Sequence, residues 1–138
     1  MIEQTFDATI ACFPQASMFV DGWLESLGCG IKIQMQIDLA LDELFTNIAS
    51  YAYGPEGGKA TLQLDFDETT GVASVTFIDS GMPYDPLAKP DPDVTLSAEE
   101  RGIGGLGIYM AKKAVDKMEY RYENNQNILT VYKKIKEV

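Results

Sequence analysis

The sequence predicts an α+β fold, a two-layer sandwich in which a mixed, mostly antiparallel sheet carries three helices on one face. Paired segments of alternating apolar and polar residues, joined by short turns, predict hairpins rather than parallel strands. Other segments carry apolar residues at helical spacing. With 138 residues, of which 46% are apolar, the chain is long enough to form one hydrophobic core. A single domain over residues 1–138 is therefore expected.

The first half of the chain begins with a predicted strand, followed by two predicted helices. The strand is predicted for residues 2–10, where most apolar side chains fall on one face. The first helix follows Pro14 and ends at Gly28, and Gly54 with the proline after it ends the second helix. The second helix is predicted from apolar residues at steps of three or four: Ile33, Ile37, Leu41, Leu44 and Ile48.

The second half consists of two predicted hairpins separated by a long loop and a helix. Residues 80–105 lack periodicity and contain four prolines, so we expect a lid at about residues 82–104. Turns are predicted at residues 68–71 and 124–127. The predicted elements are strands at 60–66 and 73–77, a helix at about 106–115, and strands at about 118–122 and 128–135.

Composition excludes several classes of function. Lys and Arg total 11 against 21 for Asp and Glu, and the resulting net charge of −10 argues against nucleic-acid binding. The sequence contains no histidine. This excludes Ser-His-Asp and Cys-His catalysis, histidine-ligated zinc and a phosphorylated histidine. Carboxylates, hydroxyls, amides or a bound metal must therefore carry any chemistry.

The sequence also predicts a cytoplasmic protein without a membrane partner. No apolar run approaches the roughly 20 residues that cross a bilayer. The N-terminal residues lack the basic and apolar regions of a signal peptide. The two cysteines, Cys12 and Cys29, have neither metal-site spacing nor the number that a disulfide framework needs.

The second predicted helix carries the first candidate functional pair. Glu43 and Asn47 are four residues apart, so they project from the same side of the helix. A carboxylate and an amide oxygen facing one cavity can bind a hydrated Mg²⁺, or the carboxylate can act as a base beside a metal-ligating amide. The alternative is an ordinary solvent-facing pair on an acidic helix.

The second candidate is Asp79, which follows a predicted strand and precedes Ser80 and Gly81. A carboxylate at a strand end can accept a hydrogen bond from the exocyclic amine of a base, and a glycine allows close approach of the backbone. The alternative is a turn in which the aspartate side chain caps the backbone as the chain leaves the sheet.

The third candidate is the glycine run before the third helix, formed by Gly102, Gly104, Gly105 and Gly107. Glycines let several backbone N–H groups converge on an anion at a helix N-terminus. The run also fits the G-x-G-x-x-G dinucleotide pattern, but that fold needs a strand directly before the first glycine, whereas here a Pro- and Asp-rich loop precedes it. No Gly-Lys-Ser/Thr follows, which excludes a Walker loop.

The order of these motifs resembles the GHKL (Bergerat-fold) ATPase and kinase superfamily, and within it the anti-sigma factor serine/threonine kinases of bacterial partner-switching systems. The resemblance covers nearly the whole chain. It is carried by residues 40–47 (ALDELFTN), 51–53 (YAY), 79–81 (DSG), 104–109 (GGLGIY) and 115–120 (VDKMEY).

The resemblance implies a role for each candidate residue. Glu43 would be the base that activates the attacking hydroxyl, and Asn47 the Mg²⁺ ligand. Asp79 would bind the adenine amino group, with Gly81 beneath the ring, and Thr130 would support the adenine side through water. The glycines at 104, 105 and 107 would surround the phosphates. Arg101 would contact the terminal phosphate, although pairing with Glu99 or Glu100 is an equal alternative.

The resemblance also implies a function. The protein would bind ATP and Mg²⁺, phosphorylate a serine or threonine of a small anti-sigma-antagonist-like protein, and sequester a regulatory target such as a sigma factor in transcription regulation. A homodimer is implied as well. The alternatives are an ATP-gated protein-binding module without phosphoryl transfer and a simple ATPase; Glu43 favours the kinase, since a pure binder needs no base there.

Overall fold

The computed structural model describes residues 1–88 and 106–137 as a five-stranded sheet with helices packed against it. The sheet order is β1-β2-β3-β5-β4. The strands are β1 (Ile2–Asp7), β2 (Lys59–Asp67), β3 (Val72–Asp79), β4 (Lys117–Glu123) and β5 (Gln126–Lys134). The helices are α1 (Phe13–Ser26), α2 (Ile31–Tyr51) and α3 (Leu106–Ala114).

This architecture confirms the predicted α+β class. Within the described residues all four strand pairings are antiparallel. The prediction was of a mixed, mostly antiparallel sheet. β5 is inserted between β3 and β4 because it is the more apolar strand of its hairpin. Its Leu129 and Val131 are buried, whereas the edge strand β4 carries exposed Glu119 and Arg121, which is typical of a solvated edge.

Two hairpin turns use backbone conformations that few residues adopt. Asn124 and Asn125 both have positive φ angles, of 54° and 60°, and they join β4 to β5 in a tight turn. Asparagine tolerates this left-handed conformation better than most residues. Gly71, with φ of 74°, closes the β2–β3 hairpin, and its carbonyl accepts a hydrogen bond from the Ile135 amide.

The core lies between one face of the sheet and the helices. α2 is the central helix, since it contacts both α1 and α3. Its buried side chains Leu41, Leu44 and Phe45 pack with apolar residues of β2 and β3. The ring of Phe45 meets that of Phe6 nearly edge-on, with centroids 6.5 Å apart. One face of α2 is thus fixed in the core, and the adjacent face is free to line a cavity.

The predicted first strand was too long. β1 ends at Asp7, and the chain then turns into a short 3₁₀ helix, Ile10–Cys12, which Thr9 caps by accepting a hydrogen bond from the Cys12 amide at 3.2 Å. Ile10, the last apolar residue of the predicted strand, is 63% exposed. The threonine cap therefore ended the strand before the apolar alternation did.

No helix in the described ranges, 1–88 and 106–137, combines the length and the apolar character needed to span a bilayer.

Candidate active site

A cavity of about 610 Å³ lies between α2, the first turn of α3, the end of β3 and the start of β5. This volume is in the range of cavities that hold small molecules. Its apolar walls include Phe77, Ile108 and Leu129. Its polar lining residues include Glu43, Asn47, Asp79, Tyr120 and Asn127.

Glu43 and Asn47 both line this cavity. Each is half-buried, and they lie one turn apart on α2 beside the buried Leu44. Asp42, the neighbouring acid, is exposed and accepts a hydrogen bond from Thr46 at 3.2 Å. The helix therefore separates an ordinary solvent-facing carboxylate from one that faces the cavity.

The carboxylate of Glu43 fills the space that a side chain at position 107 would need. A Cβ atom added to Gly107 would lie closer than 3.0 Å to Oε2 of Glu43. Gly107 is the second residue of α3, and the backbone N–H groups of a first helical turn have no partner within their own helix. This part of the cavity therefore combines a carboxylate with a helix N-terminus, which attracts anions.

Asp79 lies at the other end of the cavity, as the last residue of β3, and is 6% exposed. Its Oδ1 accepts hydrogen bonds from the Gly81 amide and from Nδ2 of Asn127, each at 2.9 Å. Among the described residues, no hydrogen bond reaches Oδ2. The capped turn and the ligand-binding carboxylate, which the sequence left as alternatives, are thus compatible, because they use different oxygens.

Gly81 allows the segment after β3 to lie directly on the end of α2. A Cβ atom at this position would come closer than 3.0 Å to the Ala52 carbonyl oxygen. The same carbonyl accepts a hydrogen bond from the Met82 amide at 3.0 Å. Nearby, the Ser80 amide donates to the Tyr53 hydroxyl at 2.8 Å. Position 81 therefore requires glycine, because the backbone carbonyl of Ala52 occupies the space of a Cβ atom.

Asn127 and Tyr120 are site residues that sequence reasoning missed. Asn127 is 6% exposed, lies opposite Asp79 in the β3–β5 register, and accepts a hydrogen bond from the Tyr120 hydroxyl at 2.5 Å. The predicted turn was drawn through position 127, whereas β5 begins at Gln126. The available signal was its position in the alternation with Leu129 and Val131, where an apolar residue would be expected.

Burial raises the pKa of Tyr120, and the nearby carboxylates of Asp85 and Asp79 raise it further. The Tyr120 hydroxyl donates a hydrogen bond to Oδ1 of Asn127.

The structure does not bring Thr130 to the cavity. Thr130 alternates with the buried Leu129 and Val131 along β5, so its side chain leaves the sheet on the opposite face. There its hydroxyl pairs with the Thr76 hydroxyl at 2.9 Å. The prediction that Thr130 supports the adenine base is therefore wrong, because its side chain points away from the cavity. The remaining candidates, Arg101, Gly102, Gly104 and Gly105, lie outside the described residues.

The residues at the Glu43 end fit a metal ion only in combination with a ligand. In residues 1–88 and 106–137, no three His, Cys, Asp or Glu side chains form a metal-binding group. Asn47 and Glu43 offer at most one amide and one carboxylate donor there. Mg²⁺ prefers six oxygen ligands and is commonly held by one or two protein groups together with phosphates and water. The donor set thus suits a nucleotide-bound metal rather than a protein-only site.

The antiparallel α+β sandwich and a cavity with an aspartate at one end and a Glu-x-x-x-Asn helix at the other define a class of nucleotide-binding domain. Residues 6–133 match the family described as the histidine kinase-like ATPase domain, and the chain belongs to that family. The predicted resemblance to the GHKL superfamily is thereby confirmed.

Two individual relatives extend this result. The chain is 26% identical over 113 residues to the serine/threonine-protein kinase BtrW of Bordetella bronchiseptica, and the match covers 79% of each protein. It is also similar to the crystal structure of the RsbU and RsbW domains of Rv1364c from Mycobacterium tuberculosis, with a TM-score of 0.67 over 98% of this chain. At 16% identity this second likeness shows the fold alone, and the match spans 33% of that longer chain.

Proposed function

We propose that this protein is an ATP-dependent serine/threonine kinase of the anti-sigma factor type. It would phosphorylate a small antagonist protein and sequester a regulatory target, such as a sigma factor. Family membership supports ATP binding, and the similarity to a serine/threonine-protein kinase supports the acceptor class. A homodimer and a role in transcription regulation belong to the same proposal.

The observation that carries the proposal is the position of the Glu43 carboxylate in the cavity, against Gly107 at the start of α3. Gly81 contacts Ala52, which lies nine residues after Glu43 and just beyond the end of α2. With a rise of 1.5 Å per residue, the two contacts are about 13 Å apart along the helix axis. Such a separation suits the two ends of an extended nucleoside triphosphate.

At the base end, Asp79 would accept a hydrogen bond from the adenine amino group through Oδ2, while Oδ1 stays engaged by Gly81 and Asn127. The apolar walls formed by Ile48 and Phe77 would contact the ring. Gly81 would shape the floor beneath the ring, because it lets the segment after β3 lie directly against Ala52 at the end of α2.

At the phosphate end, Glu43 would accept the proton of the serine or threonine hydroxyl as its oxygen attacks the γ-phosphorus. The bond from the γ-phosphorus to the bridging oxygen breaks, and that oxygen leaves on ADP. Asn47 would hold Mg²⁺ together with phosphate oxygens, and the metal, when bound, would neutralise phosphate charge. Gly107 would keep Glu43 in place, and the N–H groups of α3 would contact phosphate oxygens.

Phosphoryl transfer is the step that separates a kinase from an ATP-gated binding module. The experiment incubates the protein with Mg²⁺, ATP labelled at the γ-phosphate and a candidate antagonist protein, and measures label on the antagonist. We expect transfer by the wild type and a loss of at least about 100-fold in Glu43→Gln, because a removed general base contributes on that scale. ATP affinity should stay within about threefold, since the amide keeps the shape of the side chain.

Asp42→Asn is the matched control, because it makes the same chemical change one residue away on the exposed side of α2. It should transfer label like the wild type. ATP binding by the wild type with no transfer to any antagonist would favour the binding module. Equal transfer by Glu43→Gln and the wild type would contradict the role of Glu43.

A further inference from the structure

The side-chain amide of Asn127 uses all of its hydrogen-bonding capacity within the site. Its Nδ2 donates to Oδ1 of Asp79 at 2.9 Å and to the Met82 carbonyl at 3.0 Å. Its Oδ1 accepts from the Tyr84 amide at 3.1 Å and from the Tyr120 hydroxyl at 2.5 Å. An amide side chain has two N–H donors and two oxygen lone pairs, so no further bond is available to it.

These partners fix the orientation of the amide. A backbone carbonyl such as that of Met82 can only accept, and a backbone N–H such as that of Tyr84 can only donate. Rotating the Asn127 amide by half a turn would place its oxygen against the Met82 carbonyl and its nitrogen against the Tyr84 N–H. Both contacts would be repulsive, and the Asn127 side chain that makes them is 6% exposed, so water cannot readily replace the lost partners. Asn127 therefore always presents an N–H group to Asp79.

The fixed amide in turn determines what Asp79 can offer a ligand. Oδ1 of Asp79 receives two N–H donors, from Asn127 and from Gly81, so it serves as an acceptor within the protein. No hydrogen bond from a residue in 1–88 or 106–137 reaches Oδ2, so this atom is available as an acceptor in the cavity that Asp79 lines. A base with an exocyclic amine opposite Oδ2 would form a hydrogen bond, whereas a base with a carbonyl there would bring two oxygens together.

We propose that Asn127, held by Tyr120, is a positioning residue that makes the site select a 6-aminopurine nucleotide over a 6-oxopurine nucleotide. The proposal rests on the proposed function, because it assumes that a purine nucleotide occupies the cavity. Asn127 acts through Asp79: together with Gly81 it holds Oδ1 by N–H groups, which fixes the carboxylate so that Oδ2 is the acceptor on the cavity side.

The test measures the dissociation constants of ATP and of inosine 5′-triphosphate, which carries a carbonyl oxygen in place of the 6-amino group. The wild type should prefer ATP by at least about tenfold. In Asn127→Asp, a carboxyl oxygen replaces the N–H group that holds Oδ1 of Asp79, so Oδ2 is no longer fixed as the acceptor that faces the base. We expect ATP to bind about tenfold more weakly and the preference for ATP over inosine triphosphate to shrink by about tenfold.

Tyr120→Phe is the milder second variant, since it removes only the hydroxyl that holds Oδ1 of Asn127. It should keep the fold and reduce the preference about threefold. Thr130→Val is the matched control on the same strand, because it removes a hydrogen bond on the opposite face of the sheet. It should leave the ratio of the two dissociation constants unchanged.

The outcomes separate the two proposals. A wild type that binds neither nucleotide contradicts the proposed function and this inference together. A wild type that prefers ATP, with the same preference retained in Asn127→Asp and Tyr120→Phe, contradicts the inference alone. Equal weakening of both nucleotides, together with a lowered melting temperature, shows a purely structural role for Asn127 and also overturns it.

Discussion

The two ends of the cavity are built in different ways. At the Asp79 end, the carboxylate is held by the hydrogen bonds of Gly81 and Asn127, and the amide of Asn127 is itself fully engaged. At the other end, the side chains of Glu43 and Asn47 form no hydrogen bond to any of the described residues, although both line the cavity. Glu43 is placed there by packing against Gly107.

The difference indicates how each end works. A buried polar network that is fully satisfied is rigid, so the Asp79 end is prepared before a ligand binds. Groups left with free hydrogen-bonding capacity gain their partners from the ligand. In the proposed function these partners are a Mg²⁺ ion, phosphate oxygens and the acceptor hydroxyl. Substitutions at the Asp79 end should therefore change affinity and stability, and those at the Glu43 end should change catalysis.

The largest effect is expected for Gly107→Ala. The added methyl group would displace the Glu43 carboxylate, and we expect phosphoryl transfer to fall by a factor of roughly 100 to 1,000, as when a general base is misplaced. The fold should persist, because the clash involves the flexible end of a side chain and alanine favours a helix. Transfer of the γ-phosphate and the melting temperature measure the two effects.

Gly22→Ala is the matched control for this substitution. Gly22 is a helical glycine in α1, and a Cβ atom there would have no neighbour within 4 Å. It should not reduce transfer. Normal transfer by Gly107→Ala would mean that the placement of Glu43 by Gly107 is irrelevant to the activity.

The next largest effect is expected for Asp79→Asn at the prepared end. The new amide would have to present its oxygen to the N–H groups of Gly81 and Asn127, which turns its nitrogen toward the ligand. A donor would then face the adenine amine, and ATP affinity should fall by about 30-fold, as for a lost bond to a charged group. Isothermal titration calorimetry with ATP measures this.

Asp65→Asn makes the same change on an exposed residue of β2 and should bind ATP as tightly as the wild type. If Asp79→Asn also bound ATP with unchanged affinity, the assignment of this cavity to the nucleotide would be untenable.

Gly81→Ala tests whether the prepared end also contributes to stability. Here the added Cβ atom meets the Ala52 carbonyl, which is backbone and cannot rotate away. We expect the free energy of unfolding to fall by about 2 kcal/mol, the usual scale for overpacking a tight contact. Chemical denaturation of Gly81→Ala and Gly107→Ala compares the same change at the two ends. Equal stability of the two variants would contradict the proposal that the Asp79 end is rigid while the Glu43 end can adjust.

Much of this cavity could be predicted because the relevant patterns are local. The spacing of Glu43 and Asn47 against the apolar stripe of α2 sets the side of the helix on which they lie. The place of Asp79 at a strand end follows from the alternation in β3. In both cases, periodicity within one element determined where the side chain points.

The rest depended on information that one element does not contain. The contact between Gly107 and Glu43 joins two helices that are far apart in the sequence. Asn127 was hidden by a turn drawn two residues too long, since element boundaries depend on the φ angles that Asn124 and Asn125 adopt. Thr130 was a different kind of error, because its alternation with Leu129 and Val131 already placed it on the far face.

A half-buried pair of carboxyl groups on α1 and α2 provides a contrast to Asp79. Asp38 on α2 and Asp21 on α1 each bury an Oδ1 atom that has no hydrogen-bond donor among the described residues. Burial, together with the Asp21 carboxyl and the charge of Glu25, raises the pKa of Asp38 to about 7. At this site a proton takes the place of the N–H donors that hold Asp79.

The raised pKa makes stability depend on pH with a definite sign. The folded protein holds a proton on Asp38 that the unfolded chain releases above pH 3.8, so stability falls as pH rises from about 4 to 7 and stays low above that. In Asp38→Asn the amide needs no proton and can donate to Asp21. At pH 8 the variant should be more stable than the wild type by about 1 kcal/mol, a modest value because Asp38 is partly exposed.

Thermal unfolding between pH 4.5 and 8 measures this difference, and about 1 kcal/mol corresponds to a shift of roughly 3 °C in melting temperature for a domain of this size. Asp42→Asn, four residues along α2 and exposed, should follow the pH dependence of the wild type. If Asp38→Asn also followed it, the proton would not reside on Asp38. A flattened profile in Asp38→Asn alone would place the proton on Asp38.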